Sequence, residues 1–332
     1  MDSVPRFFRA LLAVVVVAGP AAGCMRPVAT ARTSPLDPPT PRELEAEIDQ
    51  RHRSCDPRWG LLFPGLGQLC LGQAESGLTL SSLAAAEIAT AVYVASQTDN
   101  SEHPGIVVPL VGVQDLWVYG LSDVGIRGAL ARRDLYAPQD TLGDLIAAPF
   151  NGEVMARPAV WGGLAGALAV GITATLLLES NIDTSGVGDD ANLFGEDMRP
   201  EVGYPIAAGT GTVLFSHVAI AEEALFRGYL QSMFARSAGE TQGWLAATAL
   251  FGLAHVPNAW AVEGDERRDY LLYGIPIITA AGGYLGWLYR SSGYSLASPV
   301  AVHFWYDLLL SATFFALEPD NSMFSAKVSL PL

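Results

Sequence analysis

Apolar residues in this chain come in runs long enough to cross a bilayer as helix, and polar residues gather between the runs. A spanning helix needs about 20 apolar residues to cover a ~30 Å hydrocarbon core. Pro158 to Leu178, Trp244 to Trp260 and Tyr270 to Tyr289 contain no Asp, Glu, Lys or Arg. Ser76 to Ser96 carries only Glu87, Pro104 to Ser122 only Asp115, and Tyr294 to Leu317 only Asp307. Gly203 to Ala235 holds three charges, all packed between Glu222 and Arg227. None of these runs alternates polar and apolar positions, so the pattern argues against a closed barrel and for helices. It predicts an all-α polytopic membrane protein of about seven to eight transmembrane helices, the higher count including an apolar run near the N-terminus. The last four helices hold four of the six charges placed inside these spans.

Composition agrees with this pattern. Half of the 332 residues are hydrophobic and 16% are charged, against roughly 25% charged in soluble domains. The net charge of −15 lies mostly in the connections, around Asp99–Glu102, Glu179–Glu201 and Glu263–Asp269. Nucleic acid is excluded as a partner, since Lys327 is the only lysine and the arginines form no stripe. The lipid bilayer is the implied surrounding.

The N-terminus has the form of an export signal. Arg6 and Arg9 flank an apolar run from Ala10 to Ala18, and Ala21-Ala22-Gly23-Cys24 resembles a bacterial lipobox with Ala21 where Leu is usual. An ordinary signal peptide or an uncleaved short helix fits the same residues. Residues 1–24 therefore form a signal or lipoprotein-like segment. Residues 25–75 read as a polar linker ending in Pro64-Gly65-Leu66-Gly67-Gln68, a glycine-rich element that packing explains without chemistry. Residues 76–180 carry the N-terminal transmembrane helices, and 203–317 a separate helical domain. With three cysteines and no C-x-x-C spacing there is no metal cluster, and a Cys55–Cys70 disulfide is expected only outside the cytosol.

Arginine placement orients the array, because cytoplasmic loops are enriched in Arg and Lys. Arg127, Arg132, Arg133 and Arg157 fall in one connection, Arg236 in the next on the same side, and Arg290 in the one after. These connections are expected in the cytoplasm of a bacterial inner membrane. Strict alternation then places 25–75 there too, whereas a cleaved export signal places it outside. Either the first apolar run is not a cleaved signal, or residues 59–75 add a short crossing.

Chemistry is concentrated in the C-terminal helices. Glu222 and Glu223 stand side by side in an apolar run, and acids inside a span are costly enough to imply function. Glu223 and Arg227 are four apart and share a helix face, leaving Glu222 about 100° away and free to face a cavity. His255 follows Phe251 by one turn in a run without charge, and His303 and Asp307 are one turn apart in the last run. Isolated in lipid each group would be unpaired; together they satisfy one another around a polar pocket. His217, five before Glu222, reads as a polar neighbour, and His52 and His103 as solvated loop residues. Glu87 and Asp115 are lone acids of the first hairpin, and could hydrogen-bond each other if one is protonated.

Glu222-Glu223-Ala-Leu-Phe-Arg227, Phe251-Gly-Leu-Ala-His255 and His303-Phe-Trp-Tyr-Asp307 resemble, in order, the E-E-x-x-x-R, F-x-x-x-H and H-x-x-x-N/D motifs of the CPBP family, the CAAX prenyl endopeptidases and their bacterial relatives. Arg-Gly-Tyr-Leu after the first motif and Val-Pro-Asn258 after the second add to the likeness, which covers about residues 203–315. Prenyl proteases favour Asn where Asp307 stands. The resemblance implies an intramembrane protease acting on a peptide or protein substrate at the membrane. In that reading Glu222 is the general base on a water held with His255, while His303 and Asp307 stabilise the oxyanion. The implied catalytic set is Glu222, Glu223, Arg227, His255, His303 and Asp307. Members of the family have been viewed both as zinc proteases and as metal-independent glutamate proteases. The cofactor is therefore none, or Zn²⁺ held by Glu222, His255 and His303. H-E-x-x-H is absent from the chain, which favours the metal-free reading. Two other classes stay open: a catalytically silent binding or immunity protein, and an ion-coupled transporter.

Overall fold

The computed structural model describes residues 56–100, 103–178, 187–193, 196–317 and 319. The signal-like segment, most of the linker, and part of the acidic 179–201 connection lie outside the described residues. Long helices dominate: α1 (Ala74–Ala95), α2 (Pro104–Ala131), α3 (Pro158–Leu178), α4 (Pro200–Glu223), α5 (Glu240–His255), α6 (Ile275–Ser291) and α7 (Ala297–Leu317). Proline opens α2, α3 and α4, where its missing N–H costs nothing and its fixed φ suits the first turn. His103 caps α2, its Nδ1 accepting from the Gly105 N–H at 3.0 Å. It is a cap and not merely a solvated loop residue.

α4 does not stop at Glu223. It continues through a π-helical stretch, Ala224–Gln231, into Ser232–Ala238, forming one rod from Pro200 to Ala238. Among the described residues five helices are long and apolar enough to cross a membrane: Ala74–Ala95, Gly105–Ala131, Pro200–Ala238, Gly264–Ser291 and Ala297–Leu317. A further apolar helix is α3.

Two expected boundaries move. α2 runs on to Ala131 instead of ending near Ser122, because Asp123 and Arg127, four apart, pair at 2.9 Å and neutralise each other on the helix. The run Trp244–Trp260 is not one helix. α5 ends at His255, and Val256–Ala261 turns as a tighter 3₁₀ segment, consistent with Pro257 near its start.

α4 lies at the centre, packed on α2 along one side and on α7 along another, while α5 and α6 pair with each other and close on the π stretch. Glycines permit the closest approaches. A Cβ on Gly252 or Gly282 would overlap Thr279 or Phe251 across the α5–α6 contact, and one on Gly125 would overlap Tyr229 of the rod. A small antiparallel hairpin, β1 (Ala191–Leu193) with β2 (Glu196–Met198), seals one end. Its buried Ala191 and Leu193 pack with Ala207 of α4 and Phe315 of α7.

Several arginines collect at the other end, while Arg199, Arg267 and Arg268 do not. Arg236 pairs with Asp134, Arg290 with Glu240 at 3.1 Å, and Arg127 reaches the Asp140 carbonyl at 3.1 Å. Asp140 in turn accepts from Ser295 and the Leu296 N–H at the start of α7, both at 2.8 Å. The connections at 132–157, 236–240 and 290–297 therefore share one face of the bundle, as the arginine pattern requires. Single cysteines placed at Arg133 and Arg236 are expected to react together, or be protected together, with a membrane-impermeant thiol reagent on intact cells. Labelling of one without the other would break the shared-face arrangement.

Residues 59–75, one alternative for a short crossing, hold no helix long enough to span a membrane. Pro57–Leu61 and Leu66–Cys70 are five-residue turns lying against α2. Gln68, fully buried, donates to the Gly120 carbonyl at 2.7 Å and to Asp123 at 3.1 Å, and Trp117 donates to the Gly60 carbonyl at 2.7 Å. Gly65 takes φ +91° at the turn, which explains the glycine-rich element by packing. Cys70, in the second of these turns, is disulfide-bonded.

Candidate active site

Three successive motifs deliver their polar groups to one point. Glu223 and Arg227 pair within α4 at 3.0 Å, with the Arg227 side chain 1% exposed and Glu223 fully buried. A buried guanidinium is tolerable only when its donors are used. Arg227 spends a second one on the Gly282 carbonyl of α6, at 2.9 Å, and stacks over Phe251 of α5 with its carbon 4.2 Å from the ring centroid. Phe251, the first residue of the second motif, thus supports the first motif through its ring face.

Glu223 has a second partner. Its Oε1 lies 2.9 Å from Nδ1 of His303 on α7, so one carboxylate oxygen joins arginine and imidazole. That contact fixes the ring of His303 and turns its Nε2 towards Asp307 Oδ2 at 3.4 Å and Glu222 Oε2 at 3.9 Å. On α5, His255 Nδ1 donates to the Phe251 carbonyl at 2.8 Å, since a carbonyl can only accept. Its Nε2 is left to face Glu222 Oε2, also at 3.9 Å. The Tyr270 hydroxyl, which also contacts Asn258, donates to the His255 carbonyl at 3.2 Å, so the frayed end of α5 is held.

Glu222 therefore sits against both imidazoles without touching either. It is the most accessible member of the group: its side chain is 26% exposed, against 9% for Asp307, 6% for His255 and none for His303. Separations of 3.9 Å exceed a direct hydrogen bond, and a water about 2.8 Å from both atoms would subtend an angle of about 90° between them. Tetrahedral zinc with ligands at 2.0–2.1 Å needs donors about 3.4 Å apart, so these atoms would have to draw in to hold it. Among the described residues no group of three or more His, Cys, Asp or Glu is placed to hold a metal.

All six residues expected from the motifs meet here. Glu223 was read from sequence as the partner of Arg227 alone, and its grip on His303 spans 80 positions that no local pattern connects. Tyr270 and Gly282 were missed as well: one acts through a hydroxyl on a backbone carbonyl, the other through its own carbonyl. Elsewhere, His217 pairs with Glu87 at 3.2 Å. The expected Glu87–Asp115 hydrogen bond is not formed by their buried oxygens, since Glu87 Oε2 and Asp115 Oδ2 have no partner.

Residues 206–309 match the family described as Rce1-like, the type II CAAX prenyl endopeptidases. Neither the curated proteins nor the solved structures yield a match. The matched segment begins nearly two turns into α4 and ends just past Asp307. It takes in every residue of the cluster, while α1, α2 and α3 lie outside it. The match across residues 206–309 supports a CPBP-family intramembrane protease.

Proposed function

We propose that the chain is an active intramembrane endopeptidase in which Glu222 activates water for attack on a peptide bond near the membrane surface. The observation that carries this reading is the placement of Glu222 Oε2 at 3.9 Å from Nε2 of both His255 and His303. A water there donates one hydrogen to Glu222 and the other to the free Nε2 of His255. Glu222 takes the proton as the water oxygen bonds to the carbonyl carbon, and the C=O electron pair moves onto oxygen. A protonated Nε2 on His303, its ring held by Glu223 and backed by Asp307, donates to that oxyanion. Collapse breaks the C–N bond, and Glu222 returns the proton to the departing amine.

Glu223 and Arg227 hold the site without entering the chemistry. His303 lies six residues into α7, about 9 Å from its start at 1.5 Å per residue, which favours a substrate bond close to the arginine-bearing face. The substrate is a peptide or protein that reaches the site from the membrane; nothing in the arrangement calls for a prenyl group. Quantitative proteomics of membranes from cells carrying the wild type or Glu222→Gln is expected to show intact precursors accumulating in the variant. Identical proteomes, with both proteins expressed equally, would overturn the proposal. Cleavage of an internally quenched peptide library by the purified protein in liposomes is expected to survive dialysis against a strong chelator. Loss on dialysis, with recovery on adding zinc alone, would assign Glu222, His255 and His303 as ligands instead.

A further inference from the structure

Glu87 and His217, which the hydrolytic site does not use, line a cavity between α1, α2 and α4. Its volume is about 150 Å³, close to that of an apolar cavity which takes up benzene in another protein. Val108, Pro109, Val213 and Leu214 make much of its wall apolar. Thr90 and Val213, which also line it, are exposed, so the cavity opens on the outer surface of helices apolar enough to span a membrane. Glu87 stands eight residues before the end of α1, and Gly112 eight after the start of α2. At 1.5 Å per residue the carboxylate lies about 12 Å from the ends of these helices, well inside a ~30 Å hydrocarbon core. The cavity is separate from the hydrolytic cluster. His217 precedes Glu222 by five positions, about 7.5 Å along α4 and about 140° around it.

The polar atoms of this wall are one-sided. Glu87 Oε1 lies 3.2 Å from His217 Nδ1, while Oε2 is buried with no hydrogen-bond partner. The carboxylate lies against Gly112, where any side chain would overlap it. Whether the proton between the pair sits on Nδ1 or on Oε1, Oε2 remains an acceptor. The Thr90 hydroxyl spends its hydrogen on the Ala86 carbonyl at 2.9 Å, which leaves it only lone pairs to offer. An acceptor left unpaired at this depth is costly, and lipid tails have no donor to give it. A merely structural ion pair accounts for Oε1, but for neither the orphan oxygen nor the open volume beside the pair.

We propose that this cavity binds a small lipid-soluble ring compound bearing a hydroxyl group, which donates a hydrogen bond to Glu87 Oε2. The apolar ring matches the volume and the wall, and the hydroxyl supplies the donor that the wall lacks. A neutral hydroxyl suits the site better than an ammonium, which would carry charge into the bilayer. The ligand enters sideways from the membrane, past Thr90 and Val213. Glu87 belongs to the first hairpin, outside the matched segment 206–309, so the site joins that hairpin to α4 through His217. It does not depend on Glu222 being the base.

The probe is para-fluorophenol, followed by fluorine NMR with the full-length protein in liposomes. Para-fluoroanisole has a similar shape without a donor. The phenol is expected to bind saturably, beyond its partitioning into protein-free liposomes. The anisole is expected to bind about tenfold more weakly, the worth of one hydrogen bond. Val213→Trp blocks the cavity from an exposed position and is expected to abolish saturable binding without changing the melting temperature. Glu87→Leu is expected to reduce the phenol to the affinity of the anisole. Absence of saturable binding, or equal affinities for phenol and anisole, would overturn the proposal. So would wild-type affinity in folded Val213→Trp or Glu87→Leu. If Glu87→Leu does not fold, the phenol–anisole comparison on the wild type decides. A photo-reactive benzoylphenylalanine replacing Val213 in cells is expected to yield no protein adduct. Crosslinking to a second protein there would assign the cavity to a partner's side chain instead.

Discussion

Glu222→Gln is expected to lower peptide cleavage by roughly 10²–10⁴, the usual contribution of a general base, while leaving the melting temperature of the solubilised protein unchanged. Gln keeps the length and shape of Glu and still hydrogen-bonds, but it cannot accept a proton from water. Folding should tolerate the change because Glu222 makes no direct hydrogen bond at Oε2 and its side chain is 26% exposed. The two 3.9 Å gaps to His255 and His303 survive with an amide in place of the carboxylate, so a water can still lodge there. It would be bound but not activated. Turnover of the peptide library alongside thermal unfolding checks both halves, and a fully active, normally folded variant would remove Glu222 from the chemistry.

Glu223→Gln should behave in the opposite order, losing stability before anything else can be measured. Glu223 is fully buried and its Oε1 serves Arg227 at 3.0 Å and His303 at 2.9 Å. Neutralising it leaves a guanidinium inside the bundle with the Gly282 carbonyl and the rings of Phe251 and Phe226 but no anionic partner at hydrogen-bond distance. Breaking a buried pair in this way costs about 3–5 kcal/mol. Arg227→Ala should cost a similar amount for the reciprocal reason. The double variant Glu223→Gln, Arg227→Ala should be milder than the sum of the two, because neither partner is then left charged and alone. Melting temperatures of the three variants in one detergent provide the comparison. Additive losses would mean that the pair does not act as a unit, and a stable but inactive Glu223→Gln would exchange the roles of the two glutamates.

Much of this arrangement could be read along the chain because lipid makes polarity informative. In a run with no other charge, His255 or Asp307 has to find a partner within the bundle, and the one-turn spacings of Glu223 with Arg227 and of His303 with Asp307 gave each its face. The apolar runs read from Pro104 and Pro158 begin where α2 and α3 begin. What could not be read was the joining of motifs. The link from Glu223 to His303 depends on how α4 and α7 pack, and the roles of Tyr270 and Gly282 depend on backbone carbonyls, which every residue possesses. The end of α5 at His255 was hidden inside an apolar run, since hydropathy does not register a change from α to 3₁₀ winding. The continuation of α2 past Ser122 was masked by Asp123 and Arg127, which look like loop charges until they are seen to cancel.

The π stretch at Ala224–Gln231 begins directly after the two glutamates. Such windings are uncommon and tend to occur at functional positions. Each turn takes up more residues than an α turn, so the rod is out of phase with itself on either side of the stretch. The part before it, where His217 pairs with Glu87, is clocked to α1; the part after it, with Gln231 donating to the Gly286 carbonyl at 3.0 Å, is clocked to α6. A regular α-helix could satisfy one of these alignments only by rotating the other away. Deleting a single residue from 224–231 would therefore act like a twist applied to a shaft, turning Arg236 and its partner Asp134 out of register with the glutamates while every individual side chain stayed chemically intact.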